Sequence, residues 1–243
     1  GVTTGQSMVA IDYSSTGTLY GLGYNPGTQT YQLYLIDSAT GNVSAVNSTP
    51  FSLNLGSDDG SGNRINAGFR FIPTLANRIR VMGNNGSINA QIDAATGAIA
   101  ATDTAVNFIT GDVNFGASAS VSSIAFTGFN GDTATQMFGF DNNTGTMLMF
   151  NRNNTMAGFG NGSSGYVNTA SSLSSILSLL FVNSTYNNAH MNIAFDAAAD
   201  ANVGYMVSNY EGDSSAQQNF SVLYDMTGML TAYHKGTATT PTT

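Results

Sequence analysis

Apolar and polar residues alternate with a period of two along much of the chain, most clearly between residues 66 and 129. Within that stretch Phe69 and Phe71 flank Arg70, and clusters of Asn, Asp, Gly and Pro separate one alternating run from the next. Strict alternation bounded by turn residues is typical of β-strands joined in hairpins. The pattern therefore predicts two hairpins in series, then a long loop and the start of a third hairpin.

Weaker copies of the same pattern predict strands throughout the rest of the chain. They cover residues 8–13, 19–22, 31–36, 43–46, 123–126, 136–141, 147–150, 191–195, 204–207, 220–224 and 229–233. Residues 151–168 are rich in Gly and Asn, and we interpret them as a loop. Residues 171–182 carry leucines among serines, and they fit either a short helix or a buried strand, which periodicity alone does not separate.

A short motif recurs along these strands. A strand ends in Asp, a turn containing Thr-Gly follows, and an apolar strand comes next; the aspartates are Asp37, Asp93, Asp141 and Asp225. Another hairpin precedes each copy, so the chain reads as about four units of two hairpins, with an insertion in the long third interval. Units of four antiparallel strands predict an all-β, β-propeller-like fold. A β-sandwich is the alternative, although it does not account for the repeat.

The two ends of the chain differ in composition from the region between them. Residues 7–235 form the predicted propeller-like domain, whereas residues 1–6 and the Thr-rich residues 236–243 are polar segments. We expect such tails to be disordered in a monomer unless a neighbouring subunit holds them. Because Thr is a good strand former, a tail could add a strand to the sheet of the next subunit.

Charge and cysteine content narrow the classes of partner and location. Only 8% of the residues are charged, and the formal net charge is −8. Nucleic acids and anionic lipid surfaces attract basic proteins, so we expect neither as a partner. No apolar run is long enough for a transmembrane helix, and there is no cysteine to form a disulfide or a thiolate site. The chain starts at Gly1, as a mature secreted form would after signal-peptide removal, so we expect an extracellular or cell-surface location.

Several segments resemble motifs of a secreted bacterial family known only as domain of unknown function 4394. They are Phe69–Pro73, Asn77–Val81, Asp93–Gly97, Ala101–Asp103 and Gly111–Gly116, with Ile11-Asp12 and Leu19–Leu22 near the start. The resemblance extends over residues 7–233, and it implies a secreted β-propeller-like fold without an established activity. Ile72 and Asn77 replace the Asn and Asp that are usual in this family.

The polar side chains give little indication of catalysis. His190 and His234 are the only histidines, and no Ser/His/Asp signature surrounds them, so we interpret both as structural or surface residues. Asp side chains at strand ends are expected to accept backbone N–H groups in Asx-turns. The arginines Arg70, Arg78 and Arg80 could bind an anion or a glycan, but structural pairing with aspartates is the favoured interpretation.

Oxygen-rich loops leave calcium as a possible ligand. Asp112-Val113-Asn114-Phe115-Gly116 has the D-x-N-x-G opening of a calcium loop but lacks the distal bidentate Glu. Asp58 and Asp59 lie in a second loop that is rich in glycine. The candidate calcium ligands are therefore Asp112, Asn114, Asp58 and Asp59.

Three functions compete. The first is a non-enzymatic, secreted structural protein whose terminal segments join copies into an extracellular filament or surface layer. The second is a monomeric extracellular module that binds a glycan or another ligand through loops at one face. The third, a propeller hydrolase or lyase, requires a polar cluster at the central channel, and the sequence alone does not locate one.

Overall fold

The computed structural model describes residues 1–56, 67–83, 88–127, 135–151, 160–172, 185–199, 201–211 and 220–226. Within these ranges the chain forms sixteen β-strands and no helix, and the strands make four separate sheets. All the strand pairs but one are antiparallel. The all-β, propeller-like prediction is therefore confirmed, and the β-sandwich alternative is not the architecture.

The first two sheets are four-stranded meanders, in which each strand pairs with the next one along the chain. The first comprises β1 (Ser7–Tyr13), β2 (Leu19–Asn25), β3 (Thr30–Ile36) and β4 (Val43–Ala45). The second comprises β5 (Ala67–Phe71), β6 (Arg78–Gly83), β7 (Asn89–Asp93) and β8 (Ile99–Thr102). Both follow the up-and-down order of a propeller blade.

The third sheet has five strands, and three strands of the fourth are described. The third has the order β10 (Val121–Phe126), β11 (Met137–Asp141), β12 (Thr146–Phe150), β13 (Tyr166–Ser172) and β9 (Asn107–Phe108), and β9 runs parallel to β13. The fourth has the order β14 (Thr185–Asp196), β15 (Ala201–Glu211) and β16 (Phe220–Asp225). The predicted return strand at 229–233 lies outside the described residues.

The first strand of each sheet lies toward a common axis. β1 packs against β5, β5 against β10, and β10 against β14. No comparable packing joins β14 back to β1 within the described part of the chain. The four sheets therefore form an arc that is open between the first and the fourth.

Two apolar cores hold adjacent sheets together. The first and second sheets meet through Leu22, Leu33, Phe69 and Ile79, all buried. The second and third sheets meet through a separate set of buried side chains that includes Met82, Ile124, Phe126 and Phe150. Because full burial of one such side chain stabilises by roughly 1.5–3 kcal/mol, these interfaces fix the angle between neighbouring sheets. Alternation explains the division, since Ile79 and Met82 point to opposite faces of β6.

The Asp-x-x-Thr-Gly segments form the predicted Asx-turns. Asp37, Asp93 and Asp141 each accept the backbone N–H of the residue two positions later at 2.9–3.0 Å. The glycine of each turn has a positive φ of 63–72°, which glycine adopts without steric cost. The aspartates at these strand ends therefore serve the backbone, as their sequence context predicts.

The third repeat differs from the predicted order. Its Asp141 turn joins the second and third strands of the sheet, whereas Asp37 and Asp93 join the third and fourth. The fourth strand is β13, which occupies part of the predicted loop and the beginning of the serine–leucine segment. The interval is thus part of the third sheet as far as residue 172, and its remainder, residues 173–184, lies outside the described residues.

The N-terminal segment is also different from the expectation. Gly1–Gln6 packs on the first sheet, where the Thr3 N–H donates to the Tyr34 hydroxyl at 3.0 Å. Gln6 is buried, and its amide donates to Gln32 Oε1 at 3.2 Å. These residues thus have partners within their own subunit, so the expectation that a neighbour must hold this tail is corrected. Residues 236–243 lie outside the described residues.

Candidate functional site

A groove follows the axis where the arc of sheets is open. Its walls come from residues 8–13 of β1 and from residues 190–192 of β14, together with Tyr205 and Val207 of β15. Its floor is formed by β5 and β10, through Phe69, Arg70 and Ile124 among others. It encloses about 690 Å³, and a second cavity of about 370 Å³ continues from Arg70 toward Phe195. We call this feature the axial groove.

Large apolar side chains stand exposed on both walls. Ile11 is 57% exposed and Tyr13 51% exposed on β1, and they flank Asp12, which is buried. On the opposite wall Tyr205 and Val207 are exposed, and the exposed Leu223 of β16 lies directly across from Val207 in the ladder. By contrast, the facing sides of the first and second sheets, and of the second and third, cover each other. These two faces are therefore apolar surfaces without a partner among the described residues.

Arg70 connects the four inner strands at the floor of the axial groove. It extends from β5, and Nη1 donates to Asp12 Oδ1 of β1 at 2.6 Å. Nε donates to the Ile124 carbonyl of β10 at 3.3 Å, and Nη2 donates to the Met191 carbonyl of β14 at 2.7 Å. Nη2 also donates to Asn192 Oδ1 at 2.9 Å. With these acceptors in place, the guanidinium has a structural role, as the pairing interpretation predicts.

Burial is the main cause of the pKa shifts of Asp12 and His190 in the axial groove. Burial raises the pKa of the Asp12 carboxyl, and the adjacent Arg70 together with the Phe71 N–H offsets part of that rise. Desolvation lowers the pKa of His190, and the positive charge of Arg70 lowers it further, although the residue as a whole is exposed. Both Asp12 oxygens are engaged, one by Arg70 and the other by the Phe71 N–H at 2.8 Å.

The contacts of Ser123 and Asp12 decide whether these side chains could take part in nucleophilic catalysis in the groove. Ser123 lines the groove with His190, but its hydroxyl accepts the Met191 N–H at 2.8 Å. Asp12, the acid of the groove, is bound to Arg70 instead of orienting an imidazole. In the described part of the chain, these contacts do not align Ser123, His190 and Asp12 as a relay of a nucleophile, a base and an orienting acid.

A second arginine cluster fills the space between the second and third sheets. Arg80 is fully buried, and its guanidinium donates to Asn89, to Asp103 Oδ2 at 2.8 Å and to Ser163 Oγ at 2.9 Å. Burial lowers the pKa of Arg80, while Asp103 opposes that change. Arg78 pairs with Asp93 at 2.8 Å in a more exposed position. The prediction that all three arginines are paired is confirmed.

The predicted calcium ligands do not line the axial groove, and only two of the four are described. Asp112 Oδ2 accepts the Thr169 N–H at 2.6 Å, and Oδ1 accepts the Asn114 N–H at 2.8 Å. Asn114 donates to Thr169 Oγ1 at 2.9 Å, so the pair fastens its loop to β13. Asp58 and Asp59 lie outside the described residues. Among the residues that are described, no three His, Cys, Asp or Glu side chains come together as a metal site would require.

The model of the family described as "Domain of unknown function (DUF4394)" matches residues 1–235. The chain belongs to this family. The resemblance seen in the motifs is therefore confirmed, and it extends over the first sheet, the arc and the axial groove. No curated protein matches this DUF4394 chain.

Solved structures share only a distant similarity with this DUF4394 chain. One is the calcium-binding protein regucalcin from Agrobacterium tumefaciens strain C58, with 10% identity and a TM-score of 0.44, over 91% of this chain and 62% of that one. Another is a candidate 6-phosphogluconolactonase from Bacteroides uniformis, with 9% identity and a TM-score of 0.42, over 90% of this chain and 53% of that one. The chain thus spans less than two thirds of either structure. Within the described residues, no helix is long and apolar enough to cross a bilayer.

The sequence did not reveal the axial groove, although one signal was available. In β1 the buried residue is Asp12, while the neighbouring Ile11 and Tyr13 are exposed. This order is the reverse of an ordinary half-buried strand, where the apolar side chains point inward. An acidic residue at an inward position, with large apolar residues on the outward face, indicates an ion pair on one side and an unfilled interface on the other. His234 lies outside the described residues.

Proposed function

We propose that this DUF4394 protein is a non-enzymatic structural protein of the extracellular space, whose copies join into a filament or a surface layer. The observation that carries the proposal is the axial groove, where two apolar sheet faces have no partner among the described residues. Monomeric proteins seldom expose two apolar faces side by side. Exposed apolar faces commonly mark an interface between proteins.

The surface composition supports the same proposal. Charged residues make up only 8% of the chain, so few side chains would be desolvated when copies pack together. The modest net charge of −8 adds some repulsion between copies, which salt screens. Secretion belongs to the proposal because a polar, weakly charged and turn-rich chain is typical of extracellular β-proteins.

Self-association is tested by light scattering and negative-stain electron microscopy. Wild-type protein is expected to form particles larger than the 25.2 kDa chain, increasingly so at higher concentration. Val207→Lys and Ile11→Lys place a charge on opposite walls of the groove and are expected to leave folded monomers. Val113→Lys is the matched control, since Val113 is 85% exposed in the loop after β9 and lies outside the groove. Wild-type protein that stays monomeric at all concentrations would contradict the proposal.

Ligand binding in the groove is the second candidate, and the volume of the cavity favours it. Small-molecule sites enclose roughly 300–1,000 Å³ and combine apolar walls with a few polar groups. The axial groove has about 690 Å³, with the rings of Tyr13 and Tyr205 near Asn192. A glycan would pack its apolar faces against exposed tyrosines. Monomers that bind one class of glycan on an array would favour this candidate over self-assembly.

Calcium is a secondary part of the proposal, with Asp112, Asn114, Asp58 and Asp59 as its candidate ligands. Carboxylate and amide oxygens are the donors that calcium prefers. Calorimetric titration of EDTA-treated protein with calcium tests it. If millimolar calcium gives no heat of binding and no change in melting temperature, calcium binding is excluded and the assembly proposal is unaffected.

A further inference from the structure

The connections between sheets follow one rule. The chain leaves an outer strand of one sheet and enters the innermost strand of the next, from β4 to β5, from β8 by way of β9 to β10, and from β13 to β14. Each inner strand therefore lies beside the inner strand of the preceding sheet. If the same rule applied after the fourth sheet, the next segment of the chain would lie beside β14. This position is the axial groove.

Along the chain, residues 236–243 follow the fourth sheet after fewer residues than any of the crossings between sheets takes. Between strands, the crossings take residues 46–66, 103–120 and 173–184, which means at least 12 residues each. The sequence predicts the outer strand of the fourth sheet at 229–233, so only two residues separate that strand from Gly236. Residues 236–243 therefore come too early in the chain to match a crossing of this fold within their own subunit, and for this segment we consider the groove of another copy.

The dimensions of the groove fit an extended segment. The wall formed by β1 has seven residues, about 23 Å at roughly 3.3 Å per residue. Residues 236–243 span about 26 Å when extended at the same rise. Pro241 has no N–H to donate, so an uninterrupted ladder is possible over residues 236–240. The segment can thus run beside β1 or β14 over most of the groove.

The chemistry of the segment also suits the groove. It contains five threonines, whose methyl groups pack on Ile11 or Val207 while their hydroxyls find polar partners such as Asn192. It has no charged residue to desolvate, and Lys235, the only lysine of the chain, precedes it. No acidic residue occurs after Asp225, so the charge of Lys235 is opposite in sign to the net charge of −8 of the chain. Opposite charge steers it toward a second copy.

We propose that residues 236–243 of one copy occupy the axial groove of a neighbouring copy as an extended strand between β1 and β14. The inference rests on the self-assembly proposed above, and it names the segment and the acceptor site. Each copy offers one segment and one groove, so the contact is head-to-tail and propagates into a filament unless it closes into a ring. Main-chain pairing provides affinity, and the apolar walls provide selectivity.

Disulfide trapping tests the contact directly, because the chain contains no cysteine. One preparation carries Thr239→Cys and another carries Val207→Cys on the groove wall, and the two are mixed and oxidised. A cross-linked dimer is expected from this mixture, since paired cysteines must bring their Cα atoms within about 7 Å. Thr239→Cys mixed with Val113→Cys, outside the groove, is the control and is expected to give at least tenfold less cross-link.

Truncation separates the failure of this inference from the failure of the proposed function. A chain ending at Lys235 is expected to remain folded and monomeric, and a synthetic peptide of residues 236–243 is expected to bind its empty groove. If the truncated chain still polymerises, the inference is overturned and self-assembly stands. If the wild type never polymerises, the proposed function fails first. A cross-link found only within single copies of a Val207→Cys, Thr239→Cys double variant would also overturn the inference.

Discussion

The carboxylate of Asp12 on β1 and the guanidinium of Arg70 on β5 lie 2.6 Å apart at the floor of the axial groove. The same guanidinium reaches the main chain of β10 and of β14, so one side chain contacts the inner strands of all four sheets. The two residues are 58 positions apart in sequence, and their contact depends on the arc being assembled. The pair therefore couples the local geometry of the groove to the fold of the whole chain.

Arg70→Met is expected to destabilise the protein by about 3 kcal/mol, because breaking one partner of a buried pair leaves the other charge buried and unpaired. Urea denaturation followed by circular dichroism measures the loss. Arg78→Met is the matched control; its pair with Asp93 is about one third exposed and should contribute under about 1 kcal/mol. Asp12→Asn combined with Arg70→Met should cost less than the sum of the two single changes. Equal effects at Arg70 and Arg78 would contradict the central role of Arg70.

Asp141→Ala is expected to destabilise more than Asp37→Ala, although both aspartates occupy the same turn motif. Asp141 is fully buried, and it accepts the Ser120 N–H at 2.7 Å in addition to its own turn contacts. Unsatisfied buried donors cost about 1–3 kcal/mol each, whereas water replaces the lost partner at the exposed Asp37. Thermal unfolding of the two variants provides the comparison. A larger loss at Asp37 would show that turn formation outweighs burial.

His190 is expected to titrate below the ordinary histidine value, because burial and the positive charge of Arg70 lower its pKa. The unfolded chain takes up this proton near pH 6.5, and the folded chain does so only at lower pH. Stability should therefore fall as the pH drops from about 6.5 toward the folded pKa. NMR titration of a His234→Gln variant observes His190 alone, and His190→Gln should remove this acid-side loss. A midpoint at or above 6.5 would contradict the prediction.

Asp112→Ala tests the loop that was predicted to bind calcium. Because Asp112 accepts three hydrogen bonds from Thr169 and Asn114, its loss is expected to cost about 1–3 kcal/mol without any calcium present. Melting temperatures in EDTA and in millimolar calcium are compared for the variant and the wild type. If calcium raises the melting temperature of the wild type but not of the variant, Asp112 binds calcium in addition to fastening its loop to β13.

Much of the architecture follows from local sequence. The alternation around Phe69 and Val81 predicted paired strands, and these two strands are antiparallel neighbours in the second sheet. The turn aspartates were predictable because an Asx-turn needs only the residues within one motif. β13 was not predicted as a strand, because its own sequence does not determine its conformation. Its sequence, YVNTASS, has few large apolar residues, and its strand conformation depends on pairing with β12 and β9.

The candidate site was not predictable to the same degree, because it depends on how the described inner strands are spaced around the arc. Ile11 and Val207 lie in ordinary strands, and only the spacing of the four inner strands leaves both exposed along one groove. The sequence predicted that the arginines pair with aspartates, but it did not identify Asp12 as the partner of Arg70. Residues so distant in sequence give no local pattern, so the contact becomes visible only in three dimensions.

Arg80 has a consequence for the environments that this protein can tolerate. Its guanidinium is sealed between two sheets, and its partner Asp103 is largely buried as well. Dissolved ions screen exposed charges strongly, whereas they act much less on a pair inside the protein. Because only 8% of the residues are charged, the stability of the fold should change little between low and high ionic strength.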